Sequence, residues 1–353
     1  MAPSQQKALF LDSKFGKFIL DTTDVPKPGP GEILVKVKAA ALNPLDWKIQ
    51  KYGVFIEKFP AILGSDMAGE IKQLGEGVTG FVVGDKVLSQ GAFAANKTMF
   101  LQQYAIVKPE TLAKLPSNMT FEDAATIPLG LTTAYLDSLP NPLISGLNRL
   151  AGESLVVLGG SSSVGQFAIQ LAKLSGFSHI VVTSSLKHTS FLQSLGATHV
   201  LDRNASPDML ITEISKIVGS IKYVFDAIST PETQKLGYSL LASGGRLVLV
   251  LPDAVENKMA EKGVSLVFGT VDNPVNQDAL LLLYKNITGL LADGAIKPNR
   301  VEILKNGLGG ILVGLAKMER DLMSGVKLVV KPYETCSCLW MKLTSKAALV
   351  YGV

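Results

Sequence analysis

Residues Leu155–Gly165 read LVVLGGSSSVG and run directly into QFAIQLAKLSG. A short, wholly apolar run breaks into glycine and serine, and apolar residues then return at Val164, Phe167, Ala168, Leu171, Ala172 and Leu174. The first pattern is that of a buried strand and the second has helical spacing, so the stretch is a strand, a tight turn and a helix. Such a turn leaves the amides of the first helical turn without intrahelical partners and aims them at one point. The positive end of the helix dipole lies behind them, an arrangement suited to a phosphate. The glycines Gly159, Gly160 and Gly165 depart from strict G-x-G-x-x-G spacing, so the turn alone fits a plain βα connection as well as a nucleotide loop.

Outward from this turn, strand and helix alternate. HIVVTSS (179–185), THVLDR (198–203), KYVFDAIS (222–229), GRLVLVL (245–251) and VSLVFGTV (264–271) read as strands. Helices are expected over Lys187–Leu195, Pro207–Val218, Thr230–Leu241 and Asn276–Ala292. Apolar strands separated by helices predict a parallel sheet covered on both faces, a doubly wound α/β domain over 131–295 that binds its ligand at the carboxyl ends of the strands.

Residues 1–130 have a different grain. KALFLD, KFILDTTDV and ILVKVKAAAL read as strands around a proline-rich turn, and 59–90 alternates apolar strands with glycine turns. A β-rich, partly open barrel is the simplest account, completed by 296–332. Between the strands, Asn43 can cap a helix that has Pro44 at its first position. From Thr120 a helix is expected through FEDAATIPLGLTTAYLDSL, interrupted by Pro128 and Gly130. The tail, 333–353, does not continue the architecture and reads as a segment without a catalytic role; it holds both cysteines, Cys336 and Cys338.

At 353 residues the chain is long for one core, and with 47% hydrophobic and 18% charged residues each of two domains can bury its own. The net charge of +4 is spread without a basic block, which argues against nucleic acid. No apolar run reaches membrane-span length and the start, MAPSQQKALF, lacks a leader's build, so a cytoplasmic protein with no membrane partner is expected.

Several ordered segments together resemble the zinc-free branch of the medium-chain dehydrogenase/reductase superfamily, the quinone oxidoreductases and fungal trans-acting enoyl reductases. They are AALNPLDWK (40–48), LGSDMAGEI (63–71), VGDKV (83–87), AATIPLGLTTAY (124–135), LGATHVLD (195–202), VFDAIS (224–229) and SGVKLVV (324–330). The resemblance implies a GroES-like domain beside a Rossmann domain. In the zinc-dependent members a Cys stands at or near Asn43 and Gly-His-Glu where this chain has Gly64, Ser65 and Asp66. Zinc catalysis needs three soft or borderline ligands. Met1–Leu150 contains no Cys and no His, so no zinc site is expected.

Nicotinamide dinucleotide sites that hold a free ribose place an acid about 20 residues past the glycines. Here that point reads Thr183, Ser184, Ser185, Leu186, Lys187, His188. Hydroxyls and a lysine suit a 2′-phosphate, so NADPH is the expected cofactor. The bland alternative is a helix cap followed by a solvated lysine. The resemblance adds Asn43 near the nicotinamide ring or ribose, Thr132 at the pyrophosphate or nicotinamide side, and Ser162, Ser163 and Val164 with Gly159 and Gly160 as the phosphate turn. It further implies Ala227 and Ile228 under the adenosine ribose, Leu251 and Phe268 as walls, and Lys327 toward the carboxamide or pyrophosphate. For Lys327 a surface position at a strand start is the competing reading.

Without a metal, such a protein works by orientation, a dry pocket and stabilisation of developing charge. An α,β-unsaturated carbonyl accepts hydride at its β-carbon and a proton at its α-carbon, with a donor needed at the carbonyl oxygen. Asn43, Lys48 and Tyr52 are the candidates, although an isolated Tyr such as Tyr52 is more often an aromatic wall. The expected substrate is therefore a small-molecule enone, enoyl thioester or quinone. A homodimer or a polyketide synthase partner also suits the resemblance. A non-catalytic nucleotide- or partner-binding protein of the same fold is the alternative of another class.

Overall fold

The computed structural model describes residues 2–93, 95–136, 143 and 150–335. The two cysteines and the rest of the tail beyond Thr335 lie outside the described residues, as does most of the Pro- and Asn-rich loop before Glu153. The chain divides into two compact units, one made of Met1–Pro128, Arg300–Met323 and Lys327–Val353, the other of Leu129–Asn299 and Ser324–Val326.

The first unit is β-rich. In chain order its elements are β1 (Gln5–Leu11), β2 (Phe18–Asp24), β3 (Ile33–Ala41), α1 (Pro44–Tyr52), β4 (Ala61–Ile62), β5 (Asp66–Leu74), β6 (Lys86–Gln90), β7 (Tyr104–Val107), β8 (Leu112–Lys114) and α2 (Phe121–Ala125). A small antiparallel sheet runs β2-β1-β4. β3 is the spine of the larger sheet, antiparallel to β5 from Ile33↔Leu74 to Ala41↔Asp66 and to β7 from Ile33↔Val107 to Lys36↔Tyr104. Its alternation is only partial because Ile33, Val35 and Val37 face a core shared with Met67, Ile71 and Phe100, while Lys36 and Lys38 are half-buried on the other face. Each fully buried large apolar side chain of this kind contributes about 1.5–3 kcal/mol.

The second unit contains α3 (Pro128–Tyr135), β9 (Ser154–Leu158), α4 (Ser163–Ser175), β10 (His179–Ser184), α5 (Thr189–Leu195), β11 (His199–Asp202), α6 (Pro207–Ile217), β12 (Tyr223–Asp226), α7 (Pro231–Leu240), β13 (Arg246–Leu249), β14 (Gly263–Leu266) and α8 (Gln277–Ala292). Its sheet has the order β11-β10-β9-β12-β13-β14 with every pair parallel. Counted by appearance in this domain the order is 3-2-1-4-5-6, that of the doubly wound Rossmann fold. β9 is buried at all five positions, which is why its sequence does not alternate. The chain then adds β15 (Val301–Ile303), α9 (Ile311–Glu319) and β16 (Lys327–Val330) to the first unit; β16 pairs with β3 through Ala40↔Val330 and Ala41↔Val329.

Two details differ from the sequence expectation. The helix expected from Phe121 onward is two helices, because Pro128 has no N–H to give and opens α3, whereas Gly130 does not interrupt it. A Cβ at Gly130 would stand 2.7 Å from Ser163 Oγ and 3.0 Å from the Phe167 ring, so this glycine permits close packing of α3 on α4. The last strand stops at Leu266 and does not reach Val271. Past the Val267 N–H bond to Leu249 O, the carbonyls of Phe268 and Thr270 both accept from Asn276 Nδ2, which folds the chain into a turn.

Candidate active site

The turn after β9 has the build of an anion loop. Ser162 caps α4, its Oγ accepting the Gly165 N–H at 3.0 Å. Gly159 N–H donates to Thr183 Oγ1 at 3.1 Å and Gly160 N–H to Thr183 O at 3.0 Å, which ties the loop to β10. The amides of Ser161, Ser163 and Val164 donate to no acceptor among the described residues, and they stand at the start of a 13-residue helix. Glycine is required on packing grounds: a Cβ at Gly160 would come within 2.0 Å of Val182 Cγ1, and one at Gly165 within 2.4 Å of Gly159 O. Ser163 Oγ is committed to Asn299 Oδ1 at 2.5 Å, so this residue offers its amide and not its hydroxyl.

The neighbouring strand ends lie level with this loop. Leu158 of β9 is in register with Thr183 of β10 and Asp226 of β12. Ser184 is fully buried and its Oγ has no hydrogen-bond partner among the described residues, a hydroxyl that a ligand would complete. Ser185 is half-buried and Lys187 exposed. At the end of β12, Asp226 Oδ1 accepts the N–H groups of Ile228 (3.0 Å) and Ser229 (2.8 Å), with Ser229 held at a φ of 56°. Burial is the main influence on this carboxyl and raises its pKa. The carboxylate fixes the backbone of Ala227 and Ile228, the latter 37% exposed. Thr132 on α3 is buried with its Oγ1 likewise unpartnered among the described residues. Leu251 is half-buried and Phe268 exposed. Two orphan hydroxyls and three orphan amides fit a dinucleotide with its pyrophosphate at the α4 terminus.

In the first unit four buried polar residues form one network. Asn43 is the N-cap of α1, and its side-chain amide donates to Asp66 Oδ2 at 2.9 Å. Lys327 Nζ meets the same oxygen at 2.6 Å, with both partners of the ion pair at most 3% exposed. Asp46, in the first turn of α1, accepts the Asn43 N–H on Oδ2 at 2.8 Å and the Gly64 N–H on Oδ1 at 3.2 Å. Burial, aided by the Asp66 charge, raises the Asp46 pKa to about 7, against the pull of those two N–H groups and of Lys327. Topology explains the meeting: Ala41 at the end of β3 is opposite both Asp66 and Val329, so the starts of β5 and β16 flank the start of α1. Lys327 is thus at a strand start but not on the surface. Farther along α1, Lys48 is half-buried, its ammonium 5.7 Å from the Trp47 ring and its pKa lowered by burial, and Tyr52 is 55% exposed at the helix end.

Residues 29–117 match the alcohol dehydrogenase GroES-like domain family and residues 163–259 the zinc-binding dehydrogenase family. A trans-enoyl reductase, grgB, of a Penicillium species is 30% identical over 351 residues, covering 93% of this chain and 98% of its own. A zinc-type alcohol dehydrogenase-like protein of Schizosaccharomyces pombe is 31% identical over 360 residues, covering 92% and 99%. The chain belongs to the medium-chain dehydrogenase/reductase superfamily. Among solved structures, an alcohol dehydrogenase superfamily protein from Novosphingobium aromaticivorans superposes with a TM-score of 0.77 at 24% identity, covering 92% of this chain and 99% of its own, a likeness of fold.

As a member of this superfamily the protein is an oxidoreductase with a nucleotide-binding domain. Among the described residues no group of three His, Cys, Asp or Glu side chains could hold a metal ion. Asn43 Nδ2 and the Lys327 ammonium both donate to Asp66 Oδ2. Among the described residues no helix is long and apolar enough to cross a membrane. Sequence reasoning passed over Asp46 as a functional group. The acid three residues after Asn43 is a capping-box spacing, which marks a helix start and says nothing about depth of burial.

Proposed function

We propose that this protein is an NADPH-dependent reductase of carbon–carbon double bonds conjugated to a carbonyl, working without a metal. The observation that carries the reading is the second unit's ligand end: free amides at Ser161, Ser163 and Val164, and a β10 end made of Ser184, Ser185 and Lys187 with no carboxylate. Amides and a helix dipole suit the pyrophosphate, and hydroxyls with a lysine suit a 2′-phosphate. Thr132 supplies a buried hydroxyl for the same ligand, the Ala227–Ile228 backbone supports the ribose, and Leu251 and Phe268 offer apolar surface. When bound, the nicotinamide supplies the hydride.

The first unit holds the carbonyl and the proton. Hydride reaches the β-carbon, the electron pair moves onto the carbonyl oxygen, and the α-carbon takes a proton. Lys48 is the acid assigned here, because partial burial lowers its pKa toward working pH. Asn43, fixed by Asp66, orients through its carboxamide, and Tyr52 borders the substrate. The name of the grgB relative supports an enoyl substrate over an alcohol. An acyl chain presented by a polyketide synthase and a homodimer are further expectations. The test is oxidation of NADPH, and of NADH in parallel, with an enone, an enoyl thioester and a quinone. Turnover of the enone or thioester with NADPH preferred supports the reading; turnover of the quinone alone, or preference for NADH, overturns it.

A further inference from the structure

Gln166 and Gln170 lie one turn apart on the same face of α4, and both are buried. They meet the segment 297–299, which follows α8 and belongs to the same unit. Gln170 holds the backbone of Lys297 in both directions, its Oε1 accepting the N–H at 2.7 Å and its Nε2 donating to the carbonyl at 3.2 Å. Past Pro298, whose φ is fixed by its ring, stands the buried Asn299. Asn299 Nδ2 donates to Gln166 Oε1 at 3.0 Å, and Asn299 Oδ1 accepts from Ser163 Oγ at 2.5 Å. Gln166 in turn donates through Nε2 to Ser161 O at 2.9 Å.

This buried network thus ends on both sides of Ser162, inside the turn that follows β9. Both polar ends of the peptide joining Ser161 to Ser162 are held, since Ser162 N–H donates to Gly159 O at 3.0 Å and Ser161 O accepts from Gln166. That peptide lies between the Ser161 and Ser163 amides, so its direction sets how the two point relative to each other. Gln166 can hold the Ser161 carbonyl only with its NH2 side toward it. Asn299 fixes this choice, because a Gln166 carboxamide turned over would set NH2 against NH2.

We propose that Asn299 is a positioning residue for the pyrophosphate: through Gln166 and Ser163 it holds the turn in the form that aims its unpaired amides at one point. The inference rests on the reading of this turn as the pyrophosphate site. Neither Asn299 nor Gln166 has to touch the ligand. Donors already in place need no ordering when the anion binds, and affinity gains by that amount.

The test joins calorimetric titration with NADPH to hydrogen exchange of the unliganded full chain, read by mass spectrometry. The proteins compared are wild type, Asn299→Leu, and Asn299→Leu combined with Gln166→Met. Leucine and methionine match the shapes they replace, and removing both carboxamides leaves unheld only the two turn groups, so the double variant folds even where the single does not. In the variants NADPH binds at least about tenfold more weakly. Exchange quickens in peptides spanning 159–166, which contain the Ser162 N–H, and stays as in wild type in peptides spanning 179–184 of β10. A merely structural role would quicken both regions alike, and that result overturns the inference. NADPH affinity within about threefold of wild type in the double variant, or a turn that exchanges as in wild type, also overturns it and leaves the pyrophosphate reading standing. Wild type that fails to bind NADPH, or binds it without slowing exchange over 159–166, overturns that reading and the inference with it.

Discussion

Asp46 gives the most quantitative prediction. Its carboxyl is buried with a pKa near 7 in the folded protein against 3.8 when exposed, so the native state holds a proton that the unfolded chain releases. Between pH 4 and pH 7 the folded protein binds more protons than the unfolded one, so stability falls as pH rises through that window and levels off above it. Three units at 1.36 kcal/mol each amount to about 4 kcal/mol. Asp46→Asn removes the titration. It also leaves an NH2 group facing one of the two N–H donors from Asn43 and Gly64, a cost of about 1–3 kcal/mol that does not depend on pH. Urea unfolding followed by fluorescence reads this locally, because Trp47 lies on the same helix as Asp46 and a Trp340→Phe background leaves it the sole tryptophan. The wild type should be the more stable protein near pH 4. Its advantage over Asp46→Asn should shrink through zero and reverse as pH rises to 7, leaving the variant the more stable by about 1–3 kcal/mol, and then hold constant. A difference between the two proteins that stays flat from pH 4 to pH 8 would refute the argument.

Other expectations concern single side chains. Lys327→Met should cost about 3–5 kcal/mol because Asp66 is left charged and buried, and Asp66→Asn in the same chain should restore most of it; denaturant unfolding of the singles and the double decides. Lys187→Glu should weaken NADPH binding roughly tenfold or more and leave NADH nearly untouched, because the new charge faces only a 2′-phosphate. Calorimetric titration that finds equal losses would remove the phosphate assignment. Gly160→Val should abolish nucleotide binding, since its Cβ would stand 2.0 Å from Val182 Cγ1; retained affinity would mean that the loop does not carry the ligand.

The doubly wound sheet was legible because its signal is local. Apolar strands with no alternation, separated by helical spacings, already imply burial on both faces and parallel order, and β9 to β14 follow them closely. Helix boundaries were legible where a residue imposes them, as Pro128 does at α3. Gly130 misled because its role is packing against Phe167, a contact made in three dimensions. The strand, tight turn and helix around Gly159–Gly165 could be read from spacing and composition. The buried network could not. Lys327 and Asp66 are 261 residues apart in the chain, and nothing in SGVKLVV distinguishes a solvated lysine from one closed into an ion pair. Asn43 caps α1 as its place before Pro44 predicts, but that its side-chain amide also donates to Asp66 is set by the meeting of β3, β5 and β16 and not by the local sequence. Ser163 and Asn299 are likewise joined only by the fold.

The central claim is that this oxidoreductase moves hydride from NADPH to a conjugated double bond. Incubation with NADPH deuterated at either face of the nicotinamide and an enone, followed by mass spectrometry of the product, tests it most directly. One deuterium should appear at the β-carbon from one face only, with the α-carbon taking its hydrogen from water. Product without deuterium from either donor, or deuterium at the carbonyl carbon of an unsaturated alcohol, would contradict the account.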